Sequence, residues 1–155
     1  VVRFNDGHMV KLKCDWYVQI HKAKEKILQD RNIVELILDE KIDDVKAHLP
    51  EEDRDRLTVF ESDFNLAIRN IAAEILAEIV DLNQRNIDRK TFATTIAPGI
   101  SPYIRPIIFS LWDTDPIGMV EVRDKVLDKI SENLTRNTKY DEIRDAWFPN
   151  VIYNN

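Results

Sequence analysis

Three glycines and a single cysteine, Cys14, are all that 155 residues contain of two informative residue types. One cysteine excludes an intrachain disulfide framework and fits a reducing, cytoplasmic compartment. So few glycines argue against a turn-rich sandwich and against a glycine-rich phosphate loop. Histidine is scarce too. His8, His21 and His48 have no metal-ligand spacing and no cysteine cluster beside them, so no metal site is expected, because structural zinc normally needs about four closely spaced ligands. No apolar run approaches the ~18 residues of a membrane helix. The first residues, from Val1 to Asp6, lack the long apolar stretch of a signal peptide.

What the chain does contain is core-forming and charged material. Apolar residues make up 44% and charged residues 32%, which supports a packed core and argues against disorder. The net charge of −6 is unevenly spread. Residues 1–26 carry six basic and three acidic side chains, a net of +3, and the remainder carries −9. An acidic body is a poor non-specific binder of nucleic acid, so any polyanion contact should be local.

The periodicities predict a mainly α chain with a short N-terminal β-hairpin. Val1–Phe4 and His8–Cys14 read as strands around Asn5-Asp6-Gly7, since Asp-Gly is a strong hairpin signal. A lone hairpin is marginal in water, so this one is expected to belong to a larger sheet upstream, with the chain a C-terminal fragment. About six to eight helices should follow. They are placed at about Trp16–Leu28, Ile33–Glu40, Asp43 to before Pro50, and Glu51–Asn83. Three more follow at Asp88 to before Pro98, Ser101–Trp112 and Met119–Thr135, and a last one at Tyr140–Trp147. In the longest, Leu57, Phe60, Phe64, Ile68, Ile71, Ile75, Ile79 and Leu82 recur every three or four residues as one buried stripe. Pro106 should kink or restart its helix. The tail from Pro149 to Asn155 should be irregular.

The chemistry-bearing feature is Lys11-Leu12-Lys13, followed by Cys14-Asp15-Trp16-Tyr17. Two lysines two apart on a strand share a face, and a phosphate would relieve their repulsion. On pattern alone, solvated charge on a hairpin's outer face is the ordinary reading. Cys14 has no recognisable catalytic partner in sequence and reads as a structural thiol. Trp16 and Tyr17 either stack on a base or anchor a helix to a sheet, and anchoring is the commoner use of such a pair. Arg85, Arg89 and Lys90 form a small basic group beside Asp88, a helix cap. They read as solvated surface or as local RNA-backbone contacts. Glu51-Glu52-Asp53 suits the positive end of a helix dipole. Trp112 and Trp147 should belong to the core.

Val1, Asp6-Gly7, Lys11-x-Lys13 and Asp15-Trp16-Tyr17 resemble the last nucleotidyltransferase motifs of the T-even phage RNA ligase 1 family. In that family a Glu-Gly-x-Val strand precedes a hairpin that ends in Lys-x-Lys before a Trp-Tyr helix. Val1 would be the final residue of the Glu-Gly-x-Val motif. Phe60-Glu61, Asp88-Arg89-Lys90-Thr91-Phe92-Ala93 and Ile107-Ile108-Phe109-Ser110-Leu111 look like the family's C-terminal helical domain in order and spacing. The likeness spans nearly the whole chain. Lys-x-Lys alone is shared with other ligases and capping enzymes. Its combination with Asp15-Trp16-Tyr17 and Asp88–Ala93 is more specific.

The resemblance implies that residues 1–26 end a nucleotidyltransferase domain and that residues 27–155 form an all-α domain for RNA substrate choice. The parent would be an ATP-dependent RNA ligase working with Mg²⁺. An upstream lysine would take AMP from ATP, the adenylate would pass to an RNA 5′-phosphate, and the 3′-hydroxyl would displace AMP. Lys11 and Lys13 match the lysines that contact the nucleotide phosphate, where fixed cations stabilise developing charge. The implied partners are tRNA nicked in the anticodon loop and the upstream catalytic domain of the same protein, with no membrane. The nucleophilic Lys-x-Asp-Gly motif is absent from these residues, so this chain alone is expected neither to adenylate itself, to ligate RNA, nor to bind ATP or Mg²⁺ tightly. Two alternatives stand beside this reading. One is a helical module that supports a catalytic domain or contacts proteins without touching RNA. The other is a DNA ligase or capping relative, against which the 3.6-residue periodicity argues, because a β-rich domain usually follows Lys-x-Lys there.

Overall fold

The computed structural model describes the backbone of residues 7–153 and the side chains of residues 15–153. Among the described residues eight α-helices follow one another: α1 Gly7–Lys26, α2 Asp30–Leu38, α3 Ile42–Lys46, α4 Glu51–Gln84, α5 Arg89–Thr91, α6 Arg105–Ser110, α7 Met119–Glu132 and α8 Asn137–Trp147. Between α5 and α6 the chain widens into a π turn, Phe92–Ile96, and tightens into a 3₁₀ turn, Ala97–Gly99. The chain is mainly helical, and no strand occurs among the described residues.

The expected hairpin is therefore corrected in its second half. His8–Cys14 lies inside α1, continuous with the helix expected from Trp16. Met9, Leu12, Lys11 and Lys13 are good helix formers, and no described strand offers ladder partners to this stretch. Alternation over so few residues does not by itself separate strand from helix. The first expected strand, Val1–Phe4, lies outside the described residues.

Two compact units are distinguishable, residues 1–61 with 152–155 and residues 62–151. In the first, α1 to α3 and the start of α4 bury Ala23, Ile27, Ile33, Val34, Ile42, Val45, Leu49, Leu57 and Phe60. Lys46 Nζ donates to Glu61 Oε2 at 3.0 Å with both side chains largely shielded. Lys24 approaches Asp53 at 3.8 Å. Tyr153 is buried in the tail, and its phenol is shifted up first by burial and then by the Asp53 charge. The α2 helix ends in a left-handed residue, Glu40 (φ 58°), with the Lys41 N–H returning to the Leu36 carbonyl at 2.9 Å.

In the second unit the stripe of α4 continues through Phe64, Ile68, Ile71, Ile75, Ile79 and Leu82, all buried. Phe64 meets Phe148 edge-on, with centroids 5.3 Å apart. The α7 and α8 helices add Val122, Val126, Ile130, Tyr140, Ile143 and Trp147. Pro106 sits in the first turn of α6, where its missing N–H costs nothing. The helix therefore starts at Arg105, and Pro102 to Ile104 form a turn before it. The tail is irregular, with Val151 buried.

Candidate functional site

The side chains of Lys11, Lys13 and Cys14 lie outside the described residues, while the backbone there belongs to α1. Trp16 and Tyr17 are described, and they do not anchor α1. They are 65% and 67% exposed, and Tyr17 lies parallel to His21 at 6.3 Å. The anchoring expectation needed a sheet beneath the pair, and none is formed among the described residues.

The basic group falls at the junction of α4 and α5. The end of α4 is closed by Asn86 in the left-handed region (φ 53°), with the Ile87 N–H on the Leu82 carbonyl at 3.1 Å; asparagine tolerates this conformation better than most residues. Asp88 then caps α5 as expected, its Oδ1 accepting from the Thr91 N–H at 3.0 Å. That hydrogen bond holds the Asp88 carboxyl below its ordinary pKa.

The three cations are not equivalent. Arg85 reaches back one turn to Asp81, at 3.3 Å. Arg89 lies over the Phe109 ring at 5.5 Å and 4.0 Å from Asp113. Lys90 is exposed and forms no ion pair with a described residue. Arg89 thus has an evident structural use. Phe92 is fully buried, edge-on to Phe109 at 5.1 Å and tilted against Trp112 at 5.3 Å. The stretches 88–93 and 107–111, singled out separately in the sequence, converge here in one aromatic node. Trp112 is half-buried in it, and Trp147 is buried elsewhere in the unit, against Tyr103. Glu61, also part of that pattern, pairs with Lys46 as described above.

Two clefts open on different faces of α4 within the second unit. One, of about 580 Å³, is lined by Asp63, Leu66, Asn70 and Glu74 of α4 together with Ser101 and Trp147. Its carboxylates have no cationic partner among the described residues, so it repels phosphate. The other, of about 550 Å³, is lined by Asn65 and Arg69 of α4 and by Met119, Val120, Arg123 and Asp124 of α7. Neither arginine lies within ion-pair distance of a described carboxylate, in contrast to Arg56, Arg85, Arg89 and Arg144. The sequence reading missed this pair because the two arginines lie in separate helices. A signal was present nonetheless: neither Arg69 nor Arg123 has an acidic residue three or four positions away on its helix, whereas Arg85 has Asp81.

Among the described residues no cluster of histidine, cysteine, aspartate and glutamate could hold a metal ion. No described helix is long and apolar enough to cross a membrane. No protein-family model matches the chain, and no solved structure matches it.

Proposed function

We propose that these residues are the C-terminal part of an ATP-dependent RNA ligase, cytoplasmic, whose helical portion helps position a broken RNA, tRNA nicked in the anticodon loop being the substrate implied by the resemblance. The observation that carries this reading is the ordered set Lys11-x-Lys13, Asp15-Trp16-Tyr17, Asp88–Ala93 and Ile107–Leu111, set on a helical chain. The parent would join 3′-hydroxyl and 5′-phosphate ends through enzyme-adenylate and RNA-adenylate intermediates. In that parent, Lys11 and Lys13 would supply fixed positive charge at the nucleotide phosphate. The exposed faces of Trp16 and Tyr17 would be covered by the upstream domain. ATP and Mg²⁺ chemistry belongs to residues this chain does not contain, so the chain alone stays inactive.

Sequencing the reading frame upstream of Val1 tests the proposal. A Glu-Gly pair immediately before Val1 and a Lys-x-Asp-Gly motif further upstream are expected. A frame without them would leave Lys11 and Lys13 as ordinary surface lysines.

One observation favours a second reading, in which the helical portion is a structural support that never touches RNA. Arg85 and Arg89, the arginines first suspected of phosphate contact, are both engaged by carboxylates of the chain itself. Under that reading, charge reversal at Arg85, Arg89 and Lys90 leaves the RNA affinity of the intact protein unchanged. If these residues hold RNA phosphates, reversal weakens binding and makes its salt dependence shallower.

A further inference from the structure

The cleft between α4 and α7 combines features that the Arg85–Lys90 group lacks. Arg69 and Arg123 both line it, and neither forms an ion pair with a described carboxylate. Asp124 also lines it, so the wall carries two guanidinium groups against one carboxylate. Two cations lining one cleft repel each other, and an anion placed there relieves the repulsion. Guanidinium suits phosphate because its planar fork matches two phosphate oxygens at once. The side-chain amide of Asn65 adds a donor at the same wall. Met119 and Val120 are the first two residues of α7, a helix of 14 residues, so its positive dipole end faces the same side. The Gly118 N–H is already taken, donating to Glu121 Oε2 at 2.9 Å, so the arginines supply most of the attraction.

The cleft is not purely polar. Val120 is 69% exposed and lies beside the two arginines. Cation and bare apolar surface together match a nucleotide, with phosphate on the guanidinium groups and the face of a base on the aliphatic patch. The acidic cleft on the other face of α4, with Asp63 and Glu74, would turn the same strand away.

From this we propose that Arg69 and Arg123 hold a backbone phosphate of a single-stranded RNA, with Val120 and Met119 against the adjoining base. The proposal rests on the reading of this module as one that positions RNA, and it replaces Arg85, Arg89 and Lys90 as the principal contact. The binding of a fluorescent single-stranded oligoribonucleotide of about ten nucleotides to the 155-residue chain is measured across a salt series. The double variant Arg69→Gln/Arg123→Gln is expected to raise Kd about tenfold or more. It should also lower the salt-dependence slope by about 0.7, the share of one phosphate on a single strand. The pair Arg69→Lys/Arg123→Lys, which keeps the charge but not the fork, should recover part of the affinity. This pair also separates a lost contact from a damaged fold.

Unchanged binding in the glutamine variant overturns the site while leaving RNA positioning intact. Inorganic phosphate is the second arm, followed through the arginine side-chain resonances. Phosphate binding without strand binding overturns the RNA assignment in favour of a free phosphate ligand. Binding of neither overturns both. The ligase reading fails on a different measurement, adenylation of the full-length protein, so the two failures are distinguishable.

Discussion

At the residue scale, Asp88 and Phe92 separate what caps a helix from what holds the core. Asp88 is exposed, and its carboxyl is shifted down by the Thr91 hydrogen bond. A carboxyl with a lowered folded-state pKa stabilises the fold above its unfolded pKa of about 3.9 and loses that contribution as pH falls through the folded value. Asp88→Asn keeps a cap-competent oxygen but removes the titration. Denaturant unfolding at a series of pH values should show the wild type ahead of the variant above about pH 4, with the gap closing on further acidification. Phe92 has no such exchange with solvent. It is fully buried between Phe109 and Trp112, and Phe92→Ala should cost about 3–5 kcal/mol in chemical denaturation. Both residues belong to the stretch that carries the family resemblance. A stretch can resemble a functional family and still be maintained by capping and packing.

At the scale of elements, the helices were legible wherever apolar spacing and punctuation agreed. The stripe on α4 from Leu57 to Leu82 is buried throughout, as its three-and-four spacing requires. Pro50 precedes the start of α4, Asp88 caps α5, and Gly118 precedes α7. The second expected strand was not borne out, because His8–Cys14 alternates like a strand yet lies within α1. Strand pairing depends on a partner, and local alternation cannot supply one. The end of α2 was placed within two residues, but its left-handed turn was not announced. Glu40 takes a left-handed conformation that glycine or asparagine would announce in advance, and here neither stands. Glutamate is strained in that region by roughly 1 kcal/mol. Glu40→Gly should therefore raise stability by up to about 1 kcal/mol in thermal or chemical unfolding, and a destabilisation would mean that the glutamate side chain contributes something its backbone does not reveal.

At the scale of the whole molecule, charge is the organising fact. The body is acidic, and three of its arginines, Arg56, Arg85 and Arg144, are paired with a carboxylate one turn away. Arg69 and Arg123 have no such pair among the described residues and line one cleft together, and they were invisible to a reading that searched for clusters along the chain. Their meeting depends on how α4 and α7 pack. Arg85, Arg89 and Lys90 are neighbours in sequence and were easy to single out, but two of the three are already satisfied within the chain. The lysines at 11 and 13 rest on sequence pattern alone. Their proposed role depends on the company they keep in a longer protein.

The central claim is that such a longer protein is a ligase. The most direct measurement incubates the full-length product of the encoding reading frame with Mg²⁺ and ATP labelled at the α-phosphate, followed by RNA bearing a 5′-phosphate. The account predicts a covalent label on the protein that passes to the RNA, a weakened signal after Lys11→Ala or Lys13→Ala, and no label on the 155-residue chain alone. A full-length protein that takes up no label, or a covalent adduct on the isolated chain, would contradict it.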